Sequence, residues 1–570
     1  MRPPRSPDFD ATDWQHPTPI WQAVGIVASS AINEFDPRVG RASNRRELTA
    51  LHREIYRRNQ LRIAEAVAEY TPAFRRYERT YRRRVQRYHR RAEMAELERR
   101  LYDAHVVYVG DYHTLAQSQR GFLRLLHRVP KSRPITIALE FVRARHQTRI
   151  DAFLRDELDE AEFLEAIGYR AEIGVGEWES FRRIFDFARE YECRVVGLDT
   201  LGRGPRSKLV NRDHSAARVI ARELRARPEH LIMTLIGELH VAPEHLPQRV
   251  HERLQHHGLA HEPLIIYQNC HEIYWHLAAR GIEHEVDLVR VARGEYYLPN
   301  TLPIVAQQSF LNGIHVDDDS QLEAPESNFI EFARVIAEFL DLDLGDSLHD
   351  VEVTSVVDLS FLQRLQRRGD FSSEEMRHIR RQILQSESYF IPRTNMVYLG
   401  NLSVNHAAEE ASHFVRAVCS GSAEPRLLVD AFYARCLEEA AGFLGSKLLN
   451  HKRRAPNTKS LERQSKSNRY PAETRKIAKL VLKHLRMETG LKIRGGAALY
   501  ECDADTFNGV THLLGYILGE KIYYSLVDSA LDKADVRDLF TDHYEDEGVA
   551  LTSYLYYVQK TRSARIPSPP

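Results

Sequence analysis

Between about residues 102 and 285, short β-branched apolar runs alternate with amphipathic stretches. HVVYVG, ITIALE, CRVVGLD, LIMTLIG and LIIYQN are the runs, and the segments between them place apolar residues three and four apart. Runs that are apolar on both faces fit strands buried on both sides, with the intervening helices covering the sheet. The pattern predicts an α/β domain over 102–288 with a mostly parallel sheet and flanking helices. Ahead of it, residues 1–45 lack periodicity and are expected to be poorly ordered, and 46–101 read as a helical lead-in. Within that lead-in, FRRYERTYRRRVQRYHRRAEMAELERRL (74–101) predicts one long helix with Tyr77, Tyr81, Val85 and Tyr88 as a core stripe and a basic outer face. Residues 289–560 predict a mostly helical second half, interrupted by an exposed loop at 450–471, and the proline-rich tail 561–570 is expected to be disordered.

Charge adds little to this division. Lys plus Arg and Asp plus Glu are 80 each in the 570 residues, so the basic face of the 74–101 stretch is read as a solvated surface and nucleic acid is not expected as a partner. No apolar run reaches the roughly 18 residues a membrane span needs. The five cysteines are odd in number, widely spaced and form no CxxC pair, which fits neither a disulfide framework nor a zinc ribbon. Together with the polar N-terminus, they lead to the expectation of a cytoplasmic protein. The sequence carries no GxxxxGK[ST] loop, no GxGxxG after a strand and no GxSxG elbow, which removes the usual nucleotide and serine-hydrolase sites.

Candidate chemistry collects where the predicted strands end. Ligands of open α/β sheets bind beyond the carboxyl ends of the strands, and those ends carry His113, Glu140, Asp199 and His240. The two histidines stand in matched contexts, GDYH (110–113) and GELH (237–240), each a glycine turn directly after an apolar run. Three further GxxH strings, at Gly258, Gly281 and Gly509, follow no such run. Two imidazoles and one carboxylate are an open ligand set for a divalent transition metal, so His113, Glu140 and His240 are the candidate metal ligands. Asp111 and Glu238, two residues before each histidine, are candidates to orient the imidazoles or to move a proton.

On GDYH, the glutamate of ALEF and GELH, together with HQTRIDAFL (146–154), EWESFRRIFDFARE (177–190), VVGLD and NRDHSAARVI (211–220), the region 95–285 resembles the ChaN-like haem-binding uptake family of the Tiki superfamily. The resemblance covers about a third of the chain. It implies the α/β fold, a site made from paired GxxH motifs plus a glutamate, and either metal-dependent hydrolysis or haem and iron binding. Arg212 falls where the superfamily often has an arginine, and Arg212 or Asp199 would position a small-molecule or peptide substrate. Were haem the ligand, Tyr112 would be its axial residue. The first motif has Asp111 where ChaN-like proteins usually have glutamate. The sequence shows no lipoprotein signal, which argues against an outer-membrane uptake role.

A second cluster lies in the helical half, where NHAAEEASHF sets His406, Glu410 and His413 at i, i+4 and i+7 as a further candidate metal set. Three readings follow: a metal-assisted hydrolase, a non-enzymatic haem or iron binder, and a scaffold with a vestigial site whose helical half binds a protein partner.

Overall fold

The apolar runs form the parallel centre of an eight-stranded sheet whose strand order is β1-β7-β8-β6-β2-β5-β3-β4. These strands are β1 (Arg90–Arg91), β2 (Val106–Asp111), β3 (Ile135–Arg143), β4 (Arg194–Asp199), β5 (Leu231–Gly237), β6 (Leu264–Tyr267), β7 (Val289–Ala292) and β8 (Glu295–Tyr297). The computed structural model describes residues 37–66, 71–169, 178–199, 209–258, 262–317, 325–355, 360–385, 388–391, 393–400, 402–421, 426–489, 500 and 502–567. Every residue of β2 is buried, as expected of a central strand covered by helices on both faces. One face packs Val107, Val109, Leu139 and Leu235 against Phe122, Phe181 and Phe185. The other packs Val106, Tyr108, Ile232 and Ile236 against Ala217, Ile220 and Val250.

Register matters most for the site. β2 runs parallel to β5 with Gly110 opposite Ile236 and Asp111 opposite Gly237, so both glycine turns leave the sheet side by side. On the far side of β5, β3 pairs with Leu139 opposite Leu235, which brings Glu140 to the same edge. The strand order 2-5-3 thus gathers residues separated by more than a hundred positions in the chain.

Several elements depart from the pattern. The stretch 74–101 is not one helix: a helix Pro72–Arg84 ends at Val85, β1 follows, and a second helix runs Met94–Asp103. The amides of His89 and Ala92 donate to the carbonyls of Arg290 and Leu288, so pairing with β7 replaces helical bonds there. The sheet also extends past 288, because β7 and β8 form a hairpin that turns at Gly294 with φ 74°. In the helical half, β9 (Glu352–Ser355), β10 (Ser388–Ile391) and β11 (Met396–Leu399) make a small sheet. The 450–471 stretch contains a helix, Thr458–Lys466, and buries Asn450 and His451. Disorder expected in 1–36 and 568–570 falls outside the described residues, whereas Pro37–Ala66 is helical.

The helical half builds a core of its own from Val404–Ser420, Leu428–Leu449 and Ala504–Val527. Leu48, Leu51 and Ile55 of the Pro37–Ala66 helix join that core, as do Leu115 and Tyr274 from the α/β part. No described helix is long and apolar enough to cross a membrane.

Candidate functional site

Glu140 is the centre of the strand-edge site. Its Oε2 lies 3.6 Å from Nε2 of His113, and its Oε1 lies 3.9 Å from Nε2 of His240. The carboxylate therefore faces both imidazoles, one per oxygen. The Gly237 amide donates to Oε2 at 2.6 Å, and the Arg212 guanidinium pairs with Oε1. Burial pushes the Glu140 carboxyl upward, but Arg212, His113, His240 and the Gly237 amide together outweigh it and hold Glu140 well below the usual carboxylate range.

Each imidazole is fixed from behind by a buried aspartate. Nδ1 of His113 is 2.7 Å from Asp111, whose other oxygen accepts from the Gln119 amide at 2.5 Å. Nδ1 of His240 is 2.6 Å from Asp213, and Asp213 also accepts from the Tyr77 hydroxyl at 2.7 Å. With Nδ1 donating to a carboxylate, Nε2 of each ring keeps its lone pair on the Glu140 side. Aspartates placed behind imidazoles in this way are the outer partners that orient histidine ligands of metal ions. His113 is the open member, with 25 % of its side chain exposed against 4 % for His240.

The two motif glycines have distinct reasons. A Cβ on Gly110 would collide with the Glu238 carboxylate, and one on Gly237 would lie 3.3 Å from Oε2 of Glu140 and 3.8 Å from Nε2 of His113. The first glycine makes room for a buried acid beneath the strand end; the second keeps the centre of the site open.

The remaining sequence candidates separate into different positions. Asp111 hydrogen-bonds Nδ1 of His113 at 2.7 Å. Glu238 instead accepts from the Tyr81 hydroxyl at 3.0 Å and from the amides of Gln268 and Asn269 at 3.1 and 3.2 Å. Those bonds turn it toward the end of β6 rather than toward His240, and burial pushes its carboxyl up to about 7. Arg212 anchors Glu140 directly. Tyr112 is half-buried with its ring edge-on to Phe310 at 6.3 Å. Asp199 closes β4, and its side chain lies outside the described residues. Asp213 and Tyr77 were missed by the sequence reading. The former adjoins Arg212 in NRDHSAARVI, and the latter belongs to the stripe read as packing alone.

In the helical half, His406, Glu410 and His413 do not converge. Glu410 turns to β10, accepting from the Ser388 hydroxyl at 3.1 Å and the Phe390 amide at 2.5 Å. His413 instead meets Glu409 and Glu439, with one ligand atom from each lying within 4.8 Å of the others. A step of one residue turns a helix by about 100°, so the packing of the neighbouring helix selected the Glu409 face over the Glu410 face.

The fold and the strand-edge donors together define a class: an α/β protein that gathers two aspartate-backed imidazoles and a carboxylate at the carboxyl edge of parallel strands. Residues 97–206 match the family model described as haem-binding uptake, Tiki superfamily, ChaN, in agreement with the resemblance carried by GDYH and ALEF. The matched span contains His113 and Glu140, and His240 lies beyond it. Neither a curated protein nor a solved structure matches the chain.

Proposed function

We propose that the α/β part holds a divalent transition metal at His113, Glu140 and His240 and uses it in hydrolysis of a small-molecule or peptide substrate. The observation that carries this reading is the convergence of both Nε2 atoms on Glu140 at 3.6 and 3.9 Å with each Nδ1 held by a buried aspartate. A bound divalent ion would supply Lewis acidity, polarising a scissile carbonyl and acidifying a water. The chain's own residues supply the rest. Asp111 and Asp213 set the tautomers, Arg212 keeps Glu140 ionised, Gly237 leaves the centre unobstructed, and His113 forms the solvent-facing edge by which substrate enters. A cytoplasmic setting is inferred from Cys193, Cys270, Cys419, Cys436 and Cys502, which are odd in number, widely spaced and form no CxxC pair.

A second reading, a non-enzymatic haem or iron binder, is favoured by the family match over 97–206. Tyr112 or His113 would then be the axial residue.

Elemental analysis and an absorption spectrum of the purified protein, beside the His113→Ala/His240→Ala double variant, separate the two. The hydrolase reading expects a transition metal whose content falls by about one equivalent in the variant. A Soret band in the unsubstituted protein that weakens on Tyr112→Phe would establish the haem reading instead. Unchanged metal content in a folded double variant, with no Soret band, overturns both.

A further inference from the structure

We infer that the helical half contains a second, independent site for a first-row divalent cation, formed by Glu409 and His413 of the Val404–Ser420 helix and Glu439 of the Leu428–Leu449 helix. The three ligand atoms lie within 4.8 Å of one another, so small side-chain adjustments bring all three to the ordinary ligand distances of about 2.0–2.2 Å from one ion. Glu409 and His413 are an i, i+4 pair, so one helix face presents both, and the neighbouring helix supplies the third donor.

Two features set this group apart from a buried ion-pair network. The His413 imidazole forms no hydrogen bond among the described residues, although two carboxylates flank it. Space is also reserved for it, since a Cβ on Gly442 would stand 2.5 Å from its Nε2. Any other residue there would displace the ring.

The carboxylates are already oriented from outside. Glu409 accepts from Tyr516 and from Arg453 at 2.7 Å, and Glu439 accepts from His512 at 2.8 Å and pairs with Arg435 at 2.6 Å. Each carboxylate oxygen has two lone-pair directions, so these donors leave one per oxygen for an ion. They are the outer partners that ligating carboxylates characteristically carry. An O₂N donor set of this kind suits manganese, iron, cobalt or zinc rather than calcium, and its occupant would tie the two helices together with Ala504–Val527, which provides His512 and Tyr516.

Titration of the full chain with Co(II), read by ligand-field absorption, tests the site. In the His113→Ala/His240→Ala background we expect about one equivalent to remain bound, and adding His413→Ala or Glu439→Gln to weaken that binding by roughly 100-fold or more. Gly442→Ala, which keeps every donor, should weaken it too by crowding the ring, and circular dichroism confirms that each variant is folded. Loss of all Co(II) binding in the folded His113→Ala/His240→Ala protein overturns this site while leaving the strand-edge site standing. Binding that survives both His413→Ala and Glu439→Gln also overturns it. Binding retained without His113 and His240 but lost with His413 sustains it whatever the strand-edge site proves to be.

Discussion

Glu140 and Glu238 are both buried carboxylates near the same strand ends, yet their surroundings shift them in opposite directions. Glu140 faces a guanidinium and two imidazoles and stays ionised. Glu238 faces a hydroxyl and two amides, which do not compensate for burial, and it titrates at about 7. For Glu238 the folded chain holds the proton more tightly than the unfolded chain, where the group titrates near 4.5. Its stabilising effect is therefore full below that pH and is lost as pH rises through about 7. Denaturant unfolding at a series of pH values should show the unsubstituted protein losing on the order of 3 kcal/mol across that window relative to Glu238→Gln; parallel curves would refute the assignment. Glu140 has the opposite sign: its depressed value stabilises the fold fully above the unfolded value near 4.5, and that contribution is lost progressively as pH falls below it. Asp213→Asn should leave the fold intact but lower strand-edge metal affinity by roughly 10- to 100-fold, read by competition with a chromogenic chelator.

At the scale of elements, the site depends on a helix that precedes the sheet in the chain. Tyr77 and Tyr81 of Pro72–Arg84 are buried by the packing their helical spacing dictates, and their hydroxyls then reach Asp213 and Glu238. One stripe thus serves both core and site. The strand-to-helix turns impose a stricter demand. Gly110→Ala would drive a methyl into the Glu238 carboxylate, held by backbone amides that cannot retreat. Its expected cost is about 1–3 kcal/mol, measured as a lowered denaturation midpoint. An alanine tolerated there without loss would mean that Glu238 has another place to go.

For the whole molecule, the helical half is held by a core that the Pro37–Ala66 helix completes, and it contains a deeply buried charge pair. Lys447 is fully buried, 3.1 Å from Glu520, and also donates to the carbonyls of His451 and Arg453. Burial depresses the Lys447 ammonium to about 8 despite its partner. Removing the partner strands that charge, so Glu520→Ala should destabilise the protein by about 3–5 kcal/mol. Lys447→Met/Glu520→Leu, which removes both charges, should recover most of it in thermal unfolding.

The sequence alone determined the alternation of buried runs and covering helices, because a strand buried on both faces must be apolar throughout. It also determined which residues stand at the strand ends, since GDYH, ALEF and GELH follow those runs directly. Tertiary structure decided the rest. The strand order 2-5-3 places Glu140 between the histidines, and nothing local in the chain encodes that order. The pairing of Asp213 with His240, the diversion of Glu238 to the end of β6 and the replacement of a helix by β1 all arise from partners far away in sequence. In the helical half, periodicity located a polar stripe but could not distinguish Glu409 from Glu410, because only contact with the Leu428–Leu449 helix selects which turn of the surface faces inward.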